Sequence, residues 1–221
     1  MRLLSDSIGR KAVMAITGLL MVLFVVGHLL GNLTIFAGEN GLNTYAEKLH
    51  ALAPVVWGTR VVMLAAVVLH LVISIKITME NEEATPTKYA VTRLLKATFA
   101  GKTMIYSGLV LGAFIVYHLL HFTFRVTPGV AIGFDSLNRF DVYGMVVGAF
   151  RSFFIAAIYV LAVVSLFLHL SHGVQSTFQS LGLNNEKTAP RFSVFGRTLS
   201  AIFLIGYGAI PLAILVGLLA K

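Results

Sequence analysis

Four histidines, His28, His70, His118 and His169, each stand inside a different long apolar stretch of the chain. Ionisable side chains are costly in hydrocarbon, so a histidine there marks a functional position and needs a partner. A neutral imidazole is also a common metal ligand. One imidazole on each of four spans is the pattern of haem held between helices by pairs of histidines, and its chemistry would be one-electron transfer. The chain has no cysteine. That excludes disulfides, a thiolate-bound iron–sulfur cluster, a cysteine nucleophile and covalent c-type haem attachment within it. Any haem here would be held without a covalent link, as in a b-type cytochrome.

The elements that carry these residues are legible from hydropathy. The 221 residues are 57% hydrophobic and only 12% charged, with mean hydropathy +0.88. A soluble domain of this size carries about twice that charge. The sequence predicts an all-α integral membrane protein, one transmembrane domain of five helices spanning about 11–36, 55–79, 102–124, 152–174 and 198–219. The first run is too long for a secretory signal and has no A-x-A cleavage site, so it reads as a retained span. The stretch Gly38 to Pro54 reads as a short interfacial helix, and Ala84 to Gly101 as an amphipathic surface segment. Pro128, Gly129 and Gly133 mark a loop, and Pro211 is expected to kink the last span.

Depth sorts the histidines into pairs. Two imidazoles on one iron must lie at nearly the same height. His28 and His118 each lie beyond the midpoint of their spans on one side. His70 and His169 lie beyond it on the other. At ~1.5 Å per residue each pair agrees within about 4 Å, and the two sites stand ~12–15 Å apart along the membrane normal. The expected ligands are therefore His28 with His118 for an outer haem, and His70 with His169 for a cytoplasmic-side haem. His121 and His172 follow by three residues on the same helix faces and remain secondary candidates. They match less well in depth, and could instead bond haem propionates or a quinone. Gly27 and Gly31 flank His28 in a G-x-x-x-G spacing that suits helix contact or a flat ring against the backbone. Phe24, Phe114, Tyr117 and Phe167 are candidate lining residues. Tyr45 and His50, in the outer connector, are candidate hydrogen-bond partners for a quinone.

All nine acidic residues lie outside the expected spans. Intramembrane carboxylates are common in proton and ion relays, so their lack argues against a histidine-relay transporter. The net charge is +8. Eleven of the seventeen basic residues fall in the N-terminal segment and the second and fourth connectors, or border them. The positive-inside rule then puts the N-terminus in the cytoplasm and the C-terminus outside. It accounts for the charge without nucleic acid.

Five segments, GHLLGNLTIF, NTYAEKLHAL, LHLVISI, YHLLHF and HLSHGVQSTFQSLG, occur in this order across nearly the whole chain. In order and spacing the chain resembles the cytochrome b membrane anchor of succinate:quinone oxidoreductases, in the type with one large anchor subunit and two b haems. The resemblance implies axial iron ligation by His28, His70, His118 and His169. It also implies a place in the inner membrane of a prokaryote and two soluble partners on the cytoplasmic side, an iron–sulfur subunit and a flavoprotein carrying FAD. Succinate oxidation or fumarate reduction would occur in those partners. Electrons would pass through this chain to or from a membrane quinone, often menaquinone, and the chain itself would hold no catalytic residue. The cytochrome b subunit of a membrane hydrogenase or formate dehydrogenase shares the histidine chemistry and differs in its partners.

Overall fold

Helix α1 runs over Ser7–Leu33, opened by the Asp6 side chain, which accepts from the Gly9 N–H. A carboxylate there satisfies one of the bare N–H groups of the first turn. The computed structural model describes residues 6–84 and 98–220. Most of the expected surface segment after Ala84, with Lys88, Arg93 and Lys96, lies outside the described residues, as do Arg2 and Lys221.

A 3₁₀ turn at Thr34–Ala37 and Gly38, whose φ is +79°, redirect the chain into α2, Gly38–Ala51. A positive φ is unstrained only in glycine. Helix α3, Ala53–Glu83, starts with Pro54 in its first turn. There a missing N–H costs nothing. It continues past the expected span, so the acidic residues Glu80, Glu82 and Glu83 form its last turn. Glu80 pairs with Arg10 of α1 at 2.6 Å, which puts the start of α1 and the end of α3 at one end of the bundle. The short α4, Phe99–Lys102, leads into α5, Met104–His118, which passes into a π-helical turn at Leu119–Thr123.

Helix α6, Val142–Phe150, falls where the sequence suggested only loop. A nine-residue apolar run has no amphipathic period to reveal it. Helices α7, Phe153–Ser180, and α8, Ala189–Leu215, complete the bundle. The last helix begins nine residues before the expected span, because Pro190 sits in its first turn rather than in a connector. Pro211 lies inside it. The five helices α1, α3, α5, α7 and α8 are long and apolar enough to cross a membrane. Among the described residues there is no strand, only an isolated bridge between Phe134 and Phe140.

Apolar burial drives little helix association in lipid, so close backbone approach must supply it. Helix α7 is the hub, packing most extensively on α8 and also on α1 and α5. Ala156, Ala162, Gly196, Ser200 and Ala213 are buried on α7 and α8. A Cβ on Gly196 would come within 3.1 Å of the Val174 Cβ. The larger buried apolar cluster lies at the opposite end from the Arg10–Glu80 pair, where α6 is enclosed and Ile35, Leu42, Phe150, Tyr159 and Ile214 converge.

Candidate functional site

The structure brings His28 of α1 and His118 of α5 together, with ring centres 5.9 Å apart and planes at 85°. It brings His70 of α3 and His169 of α7 together as well, at 6.4 Å and 64°. Two imidazoles bound axially to one metal at ~2 Å per bond have ring centres about 6 Å apart. Both pairs fit that spacing. Among the described residues no group of three or more His, Cys, Asp or Glu is placed to hold a metal ion.

The hydrogen bonds around the second pair decide which nitrogen is available. His70 Nδ1 lies 3.1 Å from the Met14 carbonyl and 3.2 Å from Thr17 Oγ1. A carbonyl only accepts, so His70 carries its proton on Nδ1. The Thr17 hydroxyl donates back to the Val13 and Met14 carbonyls, which frees its oxygen to accept from His70 as well. His169 Nδ1 lies 3.2 Å from Ser107 Oγ, and that hydroxyl donates to the Met104 carbonyl. Both rings thus keep Nε2 as a bare lone pair. An Nδ1–H held by a backbone or hydroxyl oxygen is the usual support of a ligating imidazole.

Glycines let these two rings sit against neighbouring helices. A Cβ on Gly18 would lie 3.3 Å from His70 Cε1, and one on Gly108 would lie 3.2 Å from His169 Cε1. Gly18 lies ten residues before His28 on α1, and Gly108 ten residues before His118 on α5. Each helix therefore spaces the two imidazole pairs ~15 Å apart along its axis.

The first pair is framed by aromatic rings. His28 stacks on Phe24 at 5.5 Å and 12°, with Tyr207 at 6.1 Å. His118 has Phe114 at 5.7 Å, and its Nδ1 lies 3.3 Å from the Tyr159 hydroxyl. His121 is fully enclosed, stacks on Phe122 at 4.2 Å and turns its own Nδ1 to Tyr159 at 2.9 Å. His172 rests against α4, where a Cβ on Gly101 would lie 3.1 Å from its Cε1.

The G-x-x-x-G pair does not act as a unit. A Cβ on Gly31 would intrude into the Tyr45 ring, whereas nothing lies within 4 Å of one on Gly27. Tyr45 thus packs α2 against α1. His50, also on α2, has its Nδ1 2.7 Å from the Ala46 carbonyl. Beside Gly173 a Cβ would meet the Met104 methyl at 3.1 Å.

Sequence reasoning missed Thr17, Ser107, Tyr159, Gly18 and Gly108. Their signal was a polar or very small residue in an apolar span, level with a histidine on another span. Comparison of the chain with protein-family models, curated proteins and solved structures returned no match.

Proposed function

We propose that this chain is a two-haem cytochrome b, the membrane anchor and electron-relay subunit of a succinate:quinone oxidoreductase. The observation that carries the haem reading is the pairing of four imidazoles from four helices into two couples at axial-ligand spacing. The His70–His169 couple adds Nδ1 atoms already committed to oxygen acceptors. Haem b, when bound, supplies reversible one-electron chemistry. His28 and His118 would hold one haem, and His70 and His169 the other.

The chain's own residues supply position and insulation. Met14, Thr17 and Ser107 fix the tautomer and orientation of the second couple. Phe24, Phe114 and Tyr207 pack around the first. The succinate and quinone parts of the proposal rest on the order of the five sequence segments. They add an FAD flavoprotein and an iron–sulfur subunit docked on the cytoplasmic face of a prokaryotic inner membrane, with a quinone such as menaquinone as the membrane-side reactant. Tyr45 and His50, on α2, are its proposed contacts.

The test begins with the absorption spectrum of the chain purified from membranes. Two b haems per chain by pyridine haemochrome are expected, and none in the His28→Ala/His70→Ala double variant. A chain without haem would sink the redox reading and favour a histidine-relay transporter. The second arm is the native complex. Succinate should reduce the haems, or fumarate oxidise them, and the isolated chain should show no succinate–dye activity. Co-purified nickel or molybdenum subunits, with haems indifferent to both dicarboxylates, would move the assignment to a hydrogenase or formate dehydrogenase.

A further inference from the structure

Tyr159, on α7, meets two histidines of one neighbouring helix with a single hydroxyl. Its oxygen lies 3.3 Å from His118 Nδ1 and 2.9 Å from His121 Nδ1. The π turn at Leu119–Thr123 contributes to this arrangement. Its wider hydrogen bonding, such as Phe124 N–H to the Leu119 carbonyl at 2.8 Å, inserts an extra residue between His118 and the end of the helix. Such bulges re-aim side chains and recur at functional sites.

A phenol has one proton to donate and a neutral imidazole has one N–H, so the three groups can be ordered in few ways. In the first order, His118 Nδ1–H donates to Tyr159, and Tyr159 donates to His121 Nδ1. His118 then has a bare Nε2, and His121 carries its proton on Nε2. In the reverse order, Tyr159 donates to His118 Nδ1, which forces the His118 proton onto Nε2 and blocks ligation there. If both imidazoles donate, the phenolic proton has no acceptor among the described residues. His121 Nε2 is buried with no hydrogen-bond partner among the described residues, so the first order leaves that N–H unbonded at some cost, and Tyr159 supplies the hydrogen bond that the His121 ring makes.

We propose that Tyr159 is a positioning residue that assigns the axial-ligand role to His118 rather than His121, by accepting the His118 Nδ1–H and passing its own proton to His121. The proposal rests on the two-haem reading. The two Nδ1···O distances fit either hydrogen-bond direction, so the direction is the proposal's own content and the variants below decide between His118 and His121. An imidazole whose Nδ1–H is accepted is a stronger donor to a metal, and so favours the more oxidised iron.

The experiment uses the full chain in its native membranes, with Tyr159→Phe, His121→Asn and His118→Asn variants. Haem content and a redox titration of the two haems are read together, and the relevant haem is identified as the one lost in His28→Ala. Tyr159→Phe should keep both haems. It should lower the ferric-to-ferrous ratio of the His28-dependent haem roughly tenfold at fixed ambient potential, about 59 mV for one electron, and leave the other unmoved. His121→Asn should keep both haems and move the same one in the same direction by less. His118→Asn should lose that haem.

An unmoved titration in Tyr159→Phe overturns the proposal. So does loss of the haem in His121→Asn with retention in His118→Asn. If Tyr159→Phe fails to accumulate, His121→Asn decides alone: a retained, shifted haem supports the assignment, and a lost or unshifted one defeats it. A wild-type chain with no haem defeats the parent reading instead, and the spectrum of the unmodified protein separates the two failures.

Discussion

Gly108 and Gly18 set how closely His169 and His70 approach the helices that carry their acceptors. Valine at Gly108 would place a Cβ 3.2 Å from His169 Cε1, with two methyl groups beyond it. The ring would have to turn, and Ser107 would lose its bond to Nδ1. On the proposed two-haem reading, the Gly108→Val chain should therefore lose the haem assigned to His70 and His169 and keep the other, with haemochrome content falling by about half. Gly58→Ala, at an α3 position where a Cβ meets nothing within 4 Å, should change neither haem. Full haem content in Gly108→Val would show that the ring does not need this close approach. The four pairing histidines were legible in the sequence because an ionisable group in hydrocarbon demands explanation. Thr17, Ser107 and Tyr159 were not, since isolated hydroxyls occur in any apolar helix. Only the bundle shows that they face imidazole nitrogens.

At the scale of elements, the end of the bundle that holds α2 and α6 is clasped by a buried polar network. Asn43 of α2 is wholly enclosed. Its amide donates to Asp135 at 3.1 Å and to Asp141 at 3.2 Å, and its carbonyl accepts the Tyr143 N–H at 2.9 Å. Asp135 also takes the Arg139 guanidinium at 2.7 Å and the N–H groups of Leu137 and Arg139, so residues 135–139 close into a tight turn. Burial alone would raise the Asp135 carboxyl, but the bonds from Arg139, Asn43 and Leu137 outweigh it and hold it at about 2. A depressed carboxylate stabilises the fold above its unfolded value, here 3.8, and loses that contribution as pH falls through 2. The clasp is thus intact at neutral pH.

Asn43→Ala leaves the Tyr143 N–H and one bond to each carboxylate unmet, at about 1–3 kcal/mol per buried group. A lower thermal midpoint in detergent is expected, together with faster proteolysis within residues 125–141. An unchanged midpoint would mean that water replaces Asn43 without cost. Hydropathy reveals helices that cross lipid, which is why five of the elements were readable in advance. It registers α6 as apolar but cannot mark nine residues as a helix, because they are too short to span and are placed by Asn43 and Asp141, groups remote in sequence or outside the helix.

The whole molecule has two unlike ends, and their assignment to the two sides of a membrane is the remaining geometric step. Arg10 of α1 pairs with Glu80 of α3 at one end, and His172 of α7 lies against α4 there. Residues 181–188, which follow α7, belong to that end. The Asn43 clasp and residues 125–141 belong to the other. Eleven of the seventeen basic residues lie, by sequence position, in or beside the segments of the Arg10 end. Positive charge is retained on the cytoplasmic side during insertion, so the expected orientation has the Arg10 end inward. The chain has no native cysteine, so any introduced thiol is the only one that can be labelled. Glu186→Cys, exposed beyond α7, should react with a membrane-impermeant maleimide only when the cytoplasmic face is open. Ser136→Cys, exposed in the clasped turn, should react in intact cells. The opposite pattern would invert the orientation and put the His28–His118 pair nearer the cytoplasm. In the proposed complex, electrons from cytoplasmic partners would then meet that aromatic-framed pair before His70 and His169. The same two variants therefore fix which imidazole couple faces the cytoplasm.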